Sequence, residues 1–262
     1  MALRRNLLLG LLPFVLVVAV YLFASHQRLA ENPQDKLLPS LGQMADAVER
    51  LAFRPDPQSG SYVLAADTWA SLKRIGLGVA LAAVAGLLSG LHMGLQPALK
   101  ALFSPFLTFV SMVPPLAVLP IIFIALGVDE LSKVALIFLG VFPVIARDVQ
   151  LAAERVPREQ IVKALTLGAS QSAVIYRIVL PQMLPRLFDA VRLSLGGAWL
   201  FLIAAEAIAS TEGLGYRIFL MRRYLAMDVI LPCVLWITAL GFAADWLLRQ
   251  LIARRFRWYV AQ

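Results

Sequence analysis

The chain has 262 residues, of which 60% are hydrophobic and 15% are charged, which is more apolar side chain than the core of one soluble domain needs. Runs of about 18 or more apolar residues are long enough to cross a ~30 Å hydrocarbon core as helices. These runs do not alternate with polar residues, which excludes a transmembrane β-barrel. The net charge of +8 collects at the ends of the runs, which argues against a nucleic-acid-binding arm. We therefore expect an all-α, polytopic membrane helical bundle.

The apolar runs predict about six transmembrane helices in a single domain that covers residues 1–262. The predicted spans are 7–24, 70–95, 103–125, 131–148, 186–209 and 229–250. The first span, which follows Arg4 and Arg5, also resembles a signal peptide. No small-x-small cleavage site follows Phe23 and Ala24, so we interpret this span as a retained helix.

Basic residues favour the cytoplasmic side of a membrane. When the N- and C-termini are placed in the cytoplasm, 14 of the 24 Lys and Arg residues lie at the inner face. The polar, proline-containing segment 25–69 then lies outside. Within it, Ser40 and Gln43 have the spacing of a capping box, which predicts an amphipathic helix on the membrane surface.

A stripe of small residues marks the second predicted span. Small side chains at every fourth position let another helix approach closely. The stripe consists of Gly78, Ala82, Gly86, Gly90 and Gly94, and the fifth span repeats it with Ala190, Ser194 and Ala198. Packing within the bundle is the favoured interpretation, and a subunit interface is the alternative.

Prolines interrupt the third predicted span. Because proline removes a backbone hydrogen bond, irregular backbone at this depth must be covered by protein or by a water-filled cavity. Met112, Pro114 and Pro115 are therefore candidates for lining a solute pathway, and a kink with only a packing role is the alternative.

The longest internal loop, 150–182, has a helical pattern of its own. Ile161, Leu165 and Gly168 fall on one predicted face, with Ala164 beside them. Lys163 is left available to water or to a partner. Gly168 and Ser170 predict the end of one short helix and the cap of a second. Two short helices meeting at a glycine form a projection that fits a groove on another protein.

At this loop the chain resembles the inner-membrane permeases of bacterial ABC importers, specifically the nitrate, sulfonate and taurine group. The signature of that family is Glu-Ala-Ala, three residues, Gly, nine residues, and Ile-x-Leu-Pro. The matching residues here are Val162, Lys163, Ala164, Gly168, Ile178, Leu180 and Pro181. The spacing is kept, but Val162 and Lys163 replace the usual Glu and first Ala. Further similar segments are Val113 to Pro120, Leu167 to Ser170, Ala198 to Glu206 and Gly213 to Tyr216.

The resemblance implies a type I ABC importer permease of the bacterial inner membrane, a transport subunit and not an enzyme. It implies a second permease subunit, expected to be a copy of this chain, two ATP-binding subunits and an extracytoplasmic substrate-binding protein. The implied ATPase-coupling residues are Lys163, Ala164, Leu165, Gly168, Ala169 and Ser170. ATP and Mg would bind to the partner ATPase, and this chain would hold no cofactor. The implied solute is a small anion such as a sulfonate or nitrate, although vitamin precursors and aromatic solutes remain open.

The lysines support a separate energy source. A phosphate-binding loop needs Gly-Lys followed by Ser or Thr, and none of the five lysines in the chain is followed by either. An integral membrane enzyme acting on lipid-linked substrates is the alternative function, but the sequence has no cluster of His, Asp or Ser expected for it. A gated channel would leave the internal loop unexplained. The spacing of the two histidines does not indicate a metal site.

Glu206 has no basic residue three or four positions away in the chain, so its carboxylate needs a partner from another helix or from water. Lys73, Arg74 and Arg217 are the candidate partners. An interhelix ion pair is the favoured interpretation, and a gating or pathway role is the alternative. Trp199, two turns inward, either lines the cavity or packs. The pairs Asp189 with Arg192 and Asp245 with Arg249 are predicted to be local and structural.

Overall fold

The computed structural model describes residues 2–33, 35–57 and 60–260, and these residues form helices joined by turns. The helices are α1 Ala2–Glu31, α2 Leu41–Phe53, α3 Val63–Leu95, α4 Pro97–Met112, α5 Pro115–Leu126, α6 Glu130–Glu154, α7 Arg158–Thr166, α8 Gln171–Ala173, α9 Leu180–Ala209, α10 Leu214–Arg222, α11 Met227–Arg255 and α12 Arg257–Val260. Among the described residues, 5 helices are long and apolar enough to cross a membrane, or up to 6 crossings if one bent pair counts as a span. The predicted all-α membrane bundle is confirmed.

The bent pair covers the third predicted span, in which prolines interrupt the helix. Helix α4 ends at Met112, α5 begins at Pro115, and their axes differ by 98°. Val113 and Pro114 between them are extended. A residue that precedes proline is driven out of the helical region, and proline donates no hydrogen bond, so two adjacent prolines end the helix here. The irregular backbone that the prolines of the span 103–125 predict is therefore present, and the break lies at Val113 and Pro114.

The second helix of the internal loop is also not short. Helix α8, a π-helical turn at Val174–Val179 and α9 form one helical stretch, Gln171–Ala209. Pro181 lies just after the wide turn. Because proline has no N–H and its ring crowds the preceding turn, the π-helical turn makes room for it without ending the helix. One short helix, α7, therefore packs against the extension of a long membrane helix.

The chain divides into two compact units, and the first consists of Met1–Asp67 and Arg217–Trp236. The predicted capping box is confirmed, because Gln43 N donates to Ser40 Oγ at 3.2 Å and Ser40 N donates to Gln43 Oε1 at 2.8 Å. Ala47 of α2 packs with Val229 and Cys233 of α11 in a small apolar cluster. Asp35 accepts a hydrogen bond from the Leu37 N–H and pairs with the guanidinium of Arg28, and both interactions lower the pKa of Asp35. They link the end of α1 to the segment before α2.

The second unit consists of Thr68–Tyr216 and Ile237–Gln262. Helix α6 is its centre and packs along α9 and α5. The small-residue stripe of α3 faces α6: a Cβ built on Gly86 would lie 2.7 Å from Ile145, and one on Gly90 would lie 2.5 Å from the carbonyl oxygen of Ala146. In the fifth span, Ala190, Ser194 and Ala198 are buried. The stripes therefore serve packing within this unit, as the favoured interpretation predicted.

Candidate functional site

The elbow, residues 155–170, joins α6 to α8 and contains the short helix α7. Gly168 has a φ of 85°, a conformation that side chains disfavour. The N–H of Gly168 donates to the Leu165 carbonyl at 3.0 Å, and that of Ala169 donates to the Ala164 carbonyl at 3.0 Å. These two bonds form a Schellman motif. Ser170 then caps α8 by accepting from Ala173 N at 3.2 Å. The predicted stop and cap are both present.

The elbow is seated on a buried apolar cluster. Ile161, Ala164 and Ala169 pack against it. The cluster consists of Leu91, Ala153, Val156, Val174, Ile175, Val179 and Met183, which come from the ends of α3 and α6 and from the π-helical stretch. Leu165 has the helical spacing of Ile161, but its side chain is exposed. Of the residues of α7, Ile161 and Ala164 pack against the cluster.

The exposed surface of the elbow carries both apolar and polar residues. Val162, Leu165 and Leu167 are exposed, Leu167 to 79%. Lys163, Gly168 and Ser170 are also exposed. Of the predicted coupling residues, Ala164 and Ala169 therefore support the elbow, and the other four form its accessible surface.

The second unit also holds an ionic group, the Glu206 cluster, which consists of Ser71, Arg74, Glu130, Glu206 and Glu212 with the backbone of Leu214 and Gly215. Ser71, Arg74 and Glu206 are buried, whereas the side chains of Glu130 and Glu212 are more than half exposed. Glu206 is 0% exposed. Its carboxylate accepts from Arg74 Nη1 at 2.7 Å, Ser71 Oγ at 2.8 Å and Gly215 N at 2.8 Å. The predicted interhelix ion pair of Glu206 is confirmed, with Arg74 as the partner.

Arg74 uses its whole guanidinium in this cluster. Nε and Nη2 donate to the two carboxylate oxygens of Glu130 at 2.6 and 2.7 Å, and Nη1 also donates to the Glu212 carbonyl at 2.8 Å. Lys133 adds a further ion pair to Glu130 at 3.0 Å. A fork of donors that binds one carboxylate with two bonds and a second carboxylate with one cannot be replaced by a lysine. Arg74 thus links α3 to α6 and α9.

Glycines let the chain pass close to the Glu206 carboxylate. Gly213 has a φ of 120°, and a Cβ built on it would lie 2.5 Å from Glu206 Cδ and Oε1. A Cβ on Gly215 would lie 2.9 Å from the Ile203 backbone. The N–H of Leu214 donates to Ser71 Oγ at 2.9 Å. The Gly213 to Tyr216 segment, noted in the sequence only as a resemblance, therefore wraps the buried carboxylate.

Sequence reasoning missed Ser71, which is fully buried and bridges the Glu206 carboxylate to the Leu214 N–H. One signal was available, because Ser71 lies three residues before Arg74 and so shares its face of α3. The role of Glu130 had no such signal, since it depends on how α6 is placed beside α3.

The candidate pathway residues have three different environments. Met112 is 76% exposed at the end of α4, and the break at Pro114 and Pro115 follows it. Trp199 is 8% exposed, and its Nε1 has no hydrogen-bond partner among the described residues. Glu206 lies in the ionic cluster. Within the described part of one chain, these residues therefore do not form one continuous surface.

The predicted local ion pairs of the last two spans are confirmed and are joined into one network. Arg192 pairs with Asp189 at 2.7 Å and with Asp245 at 2.8 Å, and Arg249 pairs with Asp245 at 2.7 Å. The network links α9 to α11. Over the described ranges, no group of three His, Cys, Asp or Glu side chains is placed to hold a metal ion.

Residues 79–257 match the model of the family described as binding-protein-dependent transport system inner membrane component. The taurine transport system permease protein TauC of Escherichia coli (strain K12) is 36% identical over 190 residues, which cover 72% of this chain and 69% of that protein. The bicarbonate transport system permease protein CmpB of Synechocystis sp. is 32% identical over 181 residues, which cover 68% of this chain and 64% of that protein.

The fold is similar to a chain of the MetNI methionine ABC transporter in an inward-facing conformation. The TM-score is 0.58 at 20% identity, and the alignment covers 70% of this chain and 94% of the other. The family match spans the α3 stripe from Ala82 onward, the broken helix pair, the elbow and the Glu206 cluster apart from Ser71 and Arg74. The chain belongs to the binding-protein-dependent transport system inner membrane component family and is the permease subunit of an ABC importer.

Proposed function

We propose that this permease carries a small solute with an anionic group, a sulfonate such as taurine or an inorganic anion such as nitrate or bicarbonate, across the bacterial inner membrane. Its relatives named for taurine and bicarbonate support this substrate class, because each is at least 32% identical over about 70% of the chain. Both solutes are small and carry an anionic group, which in taurine is accompanied by an ammonium. The extracytoplasmic substrate-binding protein would select among such anions.

The elbow is the proposed docking site for the ATPase. The observation that supports this role is that part of the elbow is packed on the membrane helices while another part is exposed. One face is fixed on a buried cluster that includes residues of α3, α6 and the π-helical stretch. Val162, Leu165 and Leu167 are exposed to the surroundings. Exposed apolar side chains on a capped, rigid helix are suited to helix-in-groove recognition. A force applied to the elbow would therefore be passed to the membrane helices and not absorbed by a flexible loop.

The same dock fixes the proposed orientation. The elbow carries Arg155, Arg158 and Lys163 and is followed by Arg177, and such loops favour the cytoplasm. With the elbow inside, the N- and C-termini are cytoplasmic and segment 25–69 is extracytoplasmic. The capped amphipathic helix α2 in that segment would then lie where a substrate-binding protein arrives.

The bend between α4 and α5 is the proposed wall of the solute pathway. Phe106, Phe109 and Met112 of α4 and Ile124 of α5 are exposed, and the backbone at Pro114 and Pro115 is irregular. A second copy of the chain that faces this bend would cover the irregular backbone, which must not contact lipid. Met112, Pro114 and Pro115 would then line a pathway between two permease subunits.

Trp199 and Glu206 are assigned indirect roles in the pathway. Both are buried in this conformation, so neither offers its side chain to a solute. Glu206 would hold α3, α6 and α9 together at the outer end, while the elbow is moved at the inner end. ATP-driven closure of two ATPase subunits would then shift the bundle between inward-open and outward-open states, which differ in their affinity for the partners.

The test is uptake by proteoliposomes that contain this chain, its ATPase and a substrate-binding protein. We expect ATP-dependent uptake of a sulfonate or of a small inorganic anion, and loss of ATPase copurification for Leu167→Glu. The control Leu41→Glu changes an equally apolar, exposed side chain on α2 and should keep the ATPase. Uptake without any ATPase would contradict the importer mechanism, and processing of a lipid-linked substrate would support the alternative enzyme.

A further inference from the structure

A polar cavity of about 250 Å³ lies at the base of the elbow. The end of α6, the start of the elbow, the first turns of α9 and helix α12 line it, and it is open to the surface, where Asp148, Arg155 and Arg186 are exposed. Its polar lining includes Asp148, Arg155, Gln182 and Arg186, and its aromatic lining is Trp258 and Tyr259. This elbow-base cavity is separate from the Glu206 cluster and from the exposed face of the elbow.

Two guanidinium groups and one carboxylate share this cavity without neutralising each other by contact. Asp148 interacts electrostatically with Arg186 and Arg155. None of the three forms an ion pair within 4.0 Å with any residue that the structure describes. Elsewhere in the second unit, by contrast, Arg192 pairs with two aspartates. The cavity therefore presents two cationic donors and one anionic acceptor that remain available to a ligand.

The aromatic wall is held in place by its own contacts. Tyr259 donates its hydroxyl to Asp189 Oδ2 at 2.9 Å, and the guanidinium of Arg186 lies 5.3 Å from the centre of the Tyr259 ring. Burial, reinforced by the bond to Asp189, raises the pKa of Tyr259, so the hydroxyl stays protonated at neutral pH. Trp258 beside it is exposed. Tryptophan and tyrosine are typical of the level at which lipid head groups lie.

We propose that the elbow-base cavity binds a zwitterionic head group that combines a tetrahedral oxyanion with an ammonium. Arg155 and Arg186 would bind the phosphate or sulfonate oxygens, for which guanidinium forks are suited. Asp148 would accept from the ammonium, and Trp258 would cover the group from the membrane side. Because Arg155 and Val156 also begin the elbow, an occupied cavity would stiffen the base on which α7 sits.

Two sources supply this chemistry: the phosphoethanolamine head of a membrane phospholipid, and a free zwitterion such as an aminosulfonate in the cytosol. The placement of the cavity in the inner leaflet rests on the proposed orientation, but binding itself does not. Native mass spectrometry of the delipidated full chain tests the first source by titration with phosphatidylethanolamine and phosphatidylglycerol. Equilibrium dialysis with soluble phosphoethanolamine and with taurine tests the second.

Arg155→Gln is the first variant, because Arg155 makes no contact that anchors Tyr259. We expect affinity for the zwitterion to fall by about tenfold, which is the effect of one charged hydrogen bond. Arg254→Gln removes the same charge from the last turn of α11 without touching the cavity, and we expect its affinity to stay within about twofold of the wild type. Asp148→Asn should reduce the preference for phosphatidylethanolamine over phosphatidylglycerol.

Either source of ligand would support the site if Arg155→Gln weakens it and Arg254→Gln does not. The proposal is overturned if neither lipid nor soluble zwitterion binds, or if both arginine variants weaken binding equally, since that would indicate general charge attraction. Transport is not measured in either arm. A failed importer assay together with selective head-group binding would therefore refute the proposed function and leave this site in place.

Discussion

The guanidinium of Arg74 donates to the carboxylate of Glu206 at 2.7 Å, and the two side chains are 2% and 0% exposed. Burial of two charges is costly, and their mutual attraction offsets this cost only when further hydrogen bonds satisfy both groups. Here Ser71 and the Gly215 N–H donate further hydrogen bonds to the Glu206 carboxylate, and the Arg74 guanidinium donates further hydrogen bonds to Glu130. Removal of either charge would leave the other charge buried without its ion-pair partner.

Glu206→Gln should therefore destabilise the protein by about 3 kcal/mol, near the lower end of the range for breaking a buried ion pair. The amide keeps the shape of the side chain, so the loss would come from charge and not from volume. The measurement is the midpoint of thermal unfolding in detergent, together with the yield of assembled transporter.

Glu49→Gln is the matched control, because Glu49 pairs with Arg54 where both side chains are more than half exposed. Its effect should stay below about 0.5 kcal/mol, as for other surface pairs. If the two variants unfold at the same temperature, Glu206 has no special part in stability.

Gly213→Ala should disrupt the Glu206 cluster. The new Cβ would lie 2.5 Å from Glu206 Cδ in addition to the strain of a φ of 120°. Gly60→Ala gives the cost of a positive φ without a close contact, because Gly60 has a φ of 67° with nothing within 4 Å of a built Cβ. We expect Gly60→Ala to cost about 1–2 kcal/mol at most and Gly213→Ala clearly more, as measured by unfolding midpoints. Equal losses would mean that the carboxylate is not what requires glycine at 213.

The sequence was sufficient wherever local chemistry decides the structure. Ser40 and Gln43 predicted a helix start, Gly168 and Ser170 predicted a helix stop and cap, and each involves neighbours within a few residues. The sequence predicted that the α3 stripe serves close helix packing, but it did not predict that α6 is the helix packed against it. Which of three basic residues would meet Glu206 could not be decided, because the choice depends on the relative placement of α3 and α9.

The details that the sequence did not predict have the same origin. The prolines predicted irregular backbone within the span 103–125, but not that Pro114 and Pro115 separate two helices whose axes differ by 98°. Leu165 has the period of a packed residue, but the narrow contact of α7 leaves it outside. In both cases tertiary geometry, which the linear pattern does not contain, decides what each side chain meets.

Gly90→Ala and Gly76→Ala make the same change in the same helix and should have opposite effects. Alanine favours a helix over glycine by about 1 kcal/mol, so Gly76→Ala should be neutral or stabilising, since nothing lies within 4 Å of its built Cβ. At Gly90 that Cβ would lie 2.5 Å from the Ala146 carbonyl oxygen, and α3 would be pushed from α6. Unfolding midpoints that move in the same direction would contradict packing of the stripe against α6.

Gly168 tests the elbow itself. A bulky residue at this position should abolish transport while the protein still inserts into the membrane. Nothing lies within 4 Å of a Cβ built on Gly168, but its φ is 85°, so the constraint inside this chain is the backbone conformation and not space. Asparagine adopts the left-handed conformation more easily than other side chains do, and β-branched residues resist it most.

Gly168→Asn should therefore retain most ATP-dependent uptake, and Gly168→Val should lose most of it, because valine resists the φ of 85° that the turn at position 168 requires. The measurements are uptake in proteoliposomes and copurification of the ATPase, with membrane insertion checked for each variant. Normal uptake by Gly168→Trp or Gly168→Val would show that the turn is not required for coupling. If Gly168→Asn and Gly168→Val both lose uptake while the elbow still resists proteolysis, the partner ATPase must contact position 168 directly. The requirement for glycine would then come from the groove of the ATPase.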